Sequence, residues 1–382
     1  MGLQRLIDRA YQEGLKPNPI EEVKGIIEGH EPLFIKKEFE GSDSEDPLRT
    51  IKRKPALMIL LDSIESGMLK EKQTIVSASS GNYVYELGIM ANRLGYRVLG
   101  FVPPRIPQEK VEFITSLGVD LVKITQDFDL CPRETTVFLV RNYAERLRSW
   151  VYNADQYILS QNITSHYFLT AREIYECMKD DVDFILIGTG TTGSMGGITL
   201  FYKQNSPKVR VIGVQPTLKH NIPGVHHITI GNGCEWHPEI YSAILNPEIV
   251  TIDDIDAYAS LIKLWERGIQ AGPSSGLVIA YAEKLAKQKR DARILALLAD
   301  NDYKYYEWTG GILEAYLPQI IKRYPELEGL AEKYMDYLKR MPTLKQRLEA
   351  VRKFYRSSRK GNVYSWDEFE EKKMDILKGL SV

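Results

Sequence analysis

The sequence predicts an α/β protein of two open α/β domains followed by a helical C-terminal extension. Three observations carry this. Short β-rich runs alternate with helical patterns from about Gln73 to Asp300, glycine- and serine-rich turns sit where such strands pass into helices, and strand signals vanish after Gly311. Alternation of this kind indicates βαβ units on parallel sheets. A chain of 382 residues, 43% hydrophobic and 26% charged, can bury one large core or two ordinary ones.

The opening stretch, MGLQRLIDRAYQEGL, places apolar residues at helical spacing among charges and lacks the apolar run of a signal peptide. Strands are expected at Thr74–Ser77, Val98–Val102 and Asp120–Ile124, with helices at Tyr83–Leu94 and Pro107–Leu117 between them. A long amphipathic stretch near Arg133–Trp150 and a helix near Thr164–Lys179 follow. The alternation resumes with strands at Phe184–Ile187, Val209–Val214 and Ile294–Leu298, and with helices near Asp254–Gly268 and Ser275–Gln288. We expect a smaller N-terminal domain over 45–160, a larger one from 1–44 and 161–310, and the extension over 311–382. In that extension apolar positions recur at i, i+3 and i+4, so its helices can pack one face on the body or on a partner subunit.

A formal net charge of -1 gives no general drive toward nucleic acid or anionic membrane, so the expected partner is a small molecule. No segment approaches the roughly 18 apolar residues of a membrane span. Cys131, Cys177 and Cys234 have no CxxC spacing, which argues for a reducing compartment and a cytoplasmic location. His220, His226, His227 and His237 lie near Cys234, but their spacing fits no HExxH or zinc-ribbon pattern, so no metal is assigned.

Three turns carry chemistry. Gly188-Thr189-Gly190-Thr191-Thr192-Gly193 follows the strand FILI and precedes a helical run. Its free backbone N–H groups, hydroxyls and helix start suit a phosphate, although a tight turn without ligand would look similar. No lysine follows it, which argues against a nucleotide-triphosphate loop, and the third glycine is misplaced for a dinucleotide fingerprint. Ser77-Ala78-Ser79-Ser80-Gly81-Asn82 gathers hydroxyl and amide groups at another helix start, fit either for simple capping or for a small carboxylate. Gly272-Pro273-Ser274-Ser275-Gly276 reads alone as a turn with an N-cap.

In this order, the segments resemble the fold type II pyridoxal-phosphate enzymes, the family of cysteine synthase, cystathionine β-synthase and the tryptophan synthase β-subunit, over roughly Pro32 to Tyr305. The family segment N-P-x-G-S-x-K-D-R-x-A is matched by Asp46-Pro47-Leu48-Arg49-Thr50-Ile51-Lys52-Arg53-Lys54-Pro55-Ala56. Its T-S-G-N-T loop is matched by Ser79–Tyr83, its G-T-G-G-T loop by Gly188–Thr192 and its G-x-S-S-G turn by Gly272–Gly276; Gln156-Tyr157, Asn162 and His166 look like its Q-F…N…H stretch. The resemblance implies a tryptophan synthase β-subunit-like fold and pyridoxal 5'-phosphate bound through an imine to Lys52. It implies that Asn82 meets the cofactor's phenolic oxygen, that Gly188, Thr189, Gly190, Thr191 and Thr192 hold its phosphate, and that Ser274 faces its ring nitrogen. Ser79, Ser80 and Gln156 would bind the substrate α-carboxylate, with Tyr83 narrowing the space beside them, and the stretch His227–Pro238 would lie over the site mouth.

Arg49, Arg53 and Lys54 depart from the family pattern. Pointing inward, the two cations after Lys52 would lower its pKa and attract an anionic substrate; pointing outward, they are solvated surface charges, the preferred reading for any one charge. The implied activity is β-replacement on O-phosphoserine or O-acetylserine by a sulfur nucleophile, as in cysteine synthase. Serine-using relatives like cystathionine β-synthase or serine dehydratase are the nearest alternative, and a non-catalytic scaffold is the alternative of another class. A homodimer is the family's usual state.

Overall fold

The computed structural model describes residues 3–13, 15–29, 32–40, 46–79, 81–104, 106–124, 132–228 and 248–381. Among them, two sheets form. The six-stranded sheet runs β1 (Ile20–Val23), β2 (Leu33–Lys37), β10 (Ile294–Leu298), β7 (Phe184–Gly188), β8 (Arg210–Pro216) and β9 (Glu248–Ile252). Only β1 is antiparallel to its neighbour. The five-stranded sheet runs β11 (Val363–Ser365), β5 (Asp120–Lys123), β4 (Val98–Val102), β3 (Thr74–Ala78) and β6 (Val151–Asn153), all parallel.

Both sheets are covered on two faces, which explains why their strands read as nearly continuous apolar runs. Successive residues point to opposite faces. In β10, Ile294, Ala296 and Leu298 join the core with helices Asp254–Glu266 and Pro273–Gln288, while Leu295 and Leu297 join the core with Gly193–Asn205. In the smaller sheet, Ile75 and Leu121 face helices Arg53–Glu65, Asn82–Arg93 and Gln108–Ser116. Val76, Leu99 and Val122 face the other way, toward Val137 and Val140.

The C-terminal extension is helical as expected, but it also supplies β11, a strand that local composition did not reveal. Val363–Ser365 pairs with Leu121–Lys123 at an edge of the smaller sheet. Three residues are too few for a periodic signal, and the pairing partner lies more than 200 residues away. The final helix, Trp366–Leu380, then covers one face of that sheet, where Phe369 stacks edge-on against Phe101 at 5.3 Å. Weak or short signals also hid β1, β2, β6, β9 and the helix Arg53–Glu65.

Candidate functional site

A cleft open to solvent lies where strand ends of both sheets meet. Ser79 follows β3, Gln156 follows β6, Gly188 ends β7, and Ala299 follows β10, so the cleft sits at carboxyl ends of parallel strands.

Lys52 enters from the loop before the helix Arg53–Glu65. That loop is pinned to the end of β10 by the Ile51 N–H, which donates to the Ala299 carbonyl at 2.8 Å. The Thr50 N–H donates to Glu86 Oε1 at 2.6 Å. Lys52 Nζ then donates to Thr191 Oγ1 at 3.1 Å. Burial pushes its pKa down to about 8. Thr191 Oγ1 also accepts from Asn162 Nδ2 at 3.0 Å, and Asn162 Nδ2 donates to the Gln156 carbonyl at 2.7 Å. A Cβ at Gly193 would lie 2.1 Å from Asn162 Oδ1, so only glycine permits this close approach of helix and loop.

The cations around Lys52 correct the surface preference. Arg49, Arg53 and Lys54 are all buried, and none is a solvated surface charge. Nor do the two after Lys52 stand as free charges beside it. Arg53 pairs with Asp46 and, at 2.9 Å, with Glu86; burial opposes its charge but Glu86 and Asp46 outweigh this. Lys54 pairs with Glu173 at 2.8 Å and Glu38 at 3.1 Å. Arg49 donates to the Lys16 carbonyl at 2.7 Å. The partners of Arg53 and Lys54 come from distant segments and neutralise both inside the fold, Arg49 meets a carbonyl rather than a carboxylate, and Lys52 is depressed by burial.

Of the glycine-rich loop, Gly188, Gly190 and Thr191 line the cleft. Thr189 does not: its hydroxyl donates to the His226 carbonyl at 2.7 Å and its N–H to the Val214 carbonyl at 3.0 Å, which ties the loop to the overlying segment. Thr192 adopts φ +65 directly before the helix Gly193–Asn205, and its buried hydroxyl has no partner among the described residues. Ser79 accepts the Gly81 N–H at 3.2 Å, Tyr83 and Gln156 are buried at the cleft wall, and Ser274 lines the cleft beside Val278. Ser80 lies outside the described residues. So do 229–247, which include Cys234, His237 and most of the expected mouth segment.

Three further residues, Asp300, Tyr305 and Lys110, join them. Asn82 Nδ2 donates to Asp300 Oδ2 at 2.7 Å, and the Tyr305 hydroxyl donates to the same oxygen at 2.5 Å. Lys110 reaches the cleft from the helix Gln108–Ser116, its Nζ 5.1 Å from the Tyr305 ring centroid. Burial also pushes its pKa down to about 8. Asp300 was findable in principle as the polar residue just past a buried strand; Lys110 in QEKVEF reads as an ordinary surface helix.

This arrangement fits a phosphorylated, carbonyl-bearing cofactor. A glycine loop at a helix start offers backbone donors, a lysine of lowered pKa stands beside it, and buried polar atoms at the cleft wall, Gln156 Oε1 and the Tyr83 hydroxyl, lack partners among the described residues. The family model described as "Pyridoxal-phosphate dependent enzyme" matches residues 11–300. The chain belongs to the pyridoxal-phosphate dependent enzymes. Among its relatives in that family, cysteine synthase B of Escherichia coli (strain K12) is 27% identical over 278 residues, covering 72% of this chain and 88% of its own. Cysteine synthase of Aquifex aeolicus is 30% identical over 274 residues, covering 69% and 80%. The crystal structure of O-ureido-L-serine synthase aligns with a TM-score of 0.66 at 25% identity, covering 76% of this chain and 90% of that one.

Proposed function

We propose that this pyridoxal-phosphate dependent enzyme replaces the β-substituent of an O-activated serine, O-phosphoserine or O-acetylserine, with a sulfur nucleophile. The observation that carries this reading is Lys52, lowered to about 8 and held 3.1 Å from Thr191 in the phosphate-type loop. The relatives' names support it: two are cysteine synthases, and the third is a synthase of an O-substituted serine.

When bound, the cofactor supplies an electron sink that makes the α-proton of an attached amino acid acidic. Lys52 would hold the cofactor, and its side-chain amine would take that α-proton; a pKa near 8 keeps a useful fraction of the amine neutral near pH 7. Gly188, Thr189, Gly190, Thr191 and Thr192 form the loop assigned to its phosphate, Asn82 is assigned to the phenolic oxygen and Ser274 to the ring nitrogen. A neutral serine there leaves a moderate sink, suited to loss of a β-leaving group. Ser79, Ser80, Tyr83 and Gln156 are assigned to the substrate's carboxylate end. We further assign residues 45–160 and 1–44 with 161–310 to two domains, and propose a cytoplasmic homodimer.

Absorbance spectra of the purified protein with O-phosphoserine, O-acetylserine and serine added separately test the reading. A visible band that one of the first two shifts is expected. A shift with serine alone points to the serine-using alternative, and no band after incubation with pyridoxal phosphate points to a non-catalytic scaffold.

A further inference from the structure

Among the described residues four buried cations are matched by carboxylates, whereas Arg49, Lys304 and Lys110 have none within ion-pair distance, and of these three only Lys110 lines the cleft. Lys36 and Lys54 share Glu38 and Glu173, Arg53 has Asp46 and Glu86, and Arg347 has Glu109 and Glu307. Lys110 is 3% exposed yet, among the described residues, has no carboxylate within ion-pair distance. A buried ammonium without an anion is unfavourable, and a position on the wall of an open cleft is where an incoming anion can relieve it.

The amine is also aimed. A Cβ at Gly81 would lie 3.2 Å from Lys110 Cδ and 3.6 Å from its Nζ, so the lysine packs against Gly81 at the start of the helix Asn82–Arg93. Gly81 holds φ +137, a conformation that exposes its backbone to that close approach. The neighbouring Glu109 pairs with Arg347 of the helix Leu344–Tyr355 at 2.5 Å, which fixes the start of the helix carrying Lys110 against the C-terminal extension. The flanking face of Lys110 is the Tyr305 ring, which favours a cation.

We propose that Lys110 supplies the positive charge that holds the substrate's α-carboxylate against the Gly81 turn, making it a specificity-determining residue of the site. This rests on the β-replacement reading. The depressed amine pKa, near 8, belongs to the cleft without an anion; an incoming carboxylate raises it and fixes the charge.

The test uses the cofactor-loaded enzyme and the half-saturation of the cofactor's absorbance shift by L-serine, L-serine methyl ester and O-phospho-L-serine. In Lys110→Met, serine should bind about tenfold or more weakly, the scale of one lost charge-assisted hydrogen bond, while the methyl ester, which lacks the carboxylate, should be unchanged. Lys110→Gln, which keeps a donor without the charge, serves if the methionine variant does not fold. Equal weakening of serine and ester, or no weakening, overturns the assignment. A loss confined to O-phosphoserine also overturns it, because Lys110 would then read the leaving group. If the wild-type band moves with none of the three and not with O-acetylserine either, the β-replacement reading fails first and takes this assignment with it.

Discussion

The depressed pKa of Lys52 sets how fast the protein can capture its cofactor. Only the neutral amine attacks a carbonyl, so the capture rate follows the neutral fraction. With a pKa of about 8, that fraction is about 9% at pH 7 and about 91% at pH 9, a rise of about tenfold that flattens above pH 9. An ordinary lysine, at about 10.4, would rise about a hundredfold over the same interval without flattening. The sign follows from burial, which disfavours the charged form and so moves the onset of reactivity to lower pH. The assay is the growth of the visible band after adding pyridoxal phosphate to cofactor-free protein between pH 6 and 10. A logarithmic rate that keeps climbing with unit slope past pH 9.5 would refute the argument that burial alone activates this amine.

Other perturbations probe the supports of the site. Gly193→Ala places a methyl 2.1 Å from Asn162 Oδ1 and should break the hydrogen bonds that join Asn162 to Thr191, weakening cofactor retention in equilibrium dialysis by about fivefold or more. Unchanged retention would mean the loop shifts without consequence. Asp300→Asn removes the carboxylate that collects the Asn82 and Tyr305 donors, and should cost about 1–3 kcal/mol in denaturant unfolding while shifting the cofactor's absorbance maximum. Arg347→Met removes the cation shared by Glu109 and Glu307 and should destabilise by about 1–3 kcal/mol, the scale of lost charge-assisted hydrogen bonds, measured by the same unfolding curve.

The glycine- and serine-rich turns were legible as turns because each is a contiguous string in which glycine freedom, hydroxyl donors and a helix start coincide. Strands such as Ile294–Leu298 were legible because both faces are buried and every residue is apolar. What remained hidden depends on distant partners. The inward direction of Lys54 is fixed by Glu173, which lies 119 residues further along the chain, and nothing in the run RTIKRK records that partner. Lys110 and Asp300 meet at Tyr305 only because the helix Gln108–Ser116 packs beside the end of β10. The strand Val363–Ser365 has too few residues to announce itself, and its place is set by the sheet edge it completes.

Two lysines of similarly lowered pKa line the same cleft, so the central claim is that Lys52, not Lys110, carries the cofactor. Borohydride reduction of the loaded protein followed by peptide mass mapping tests this directly. The account predicts the reduced pyridoxyl adduct on Lys52 alone; an adduct on Lys110, or none on Lys52, would contradict it.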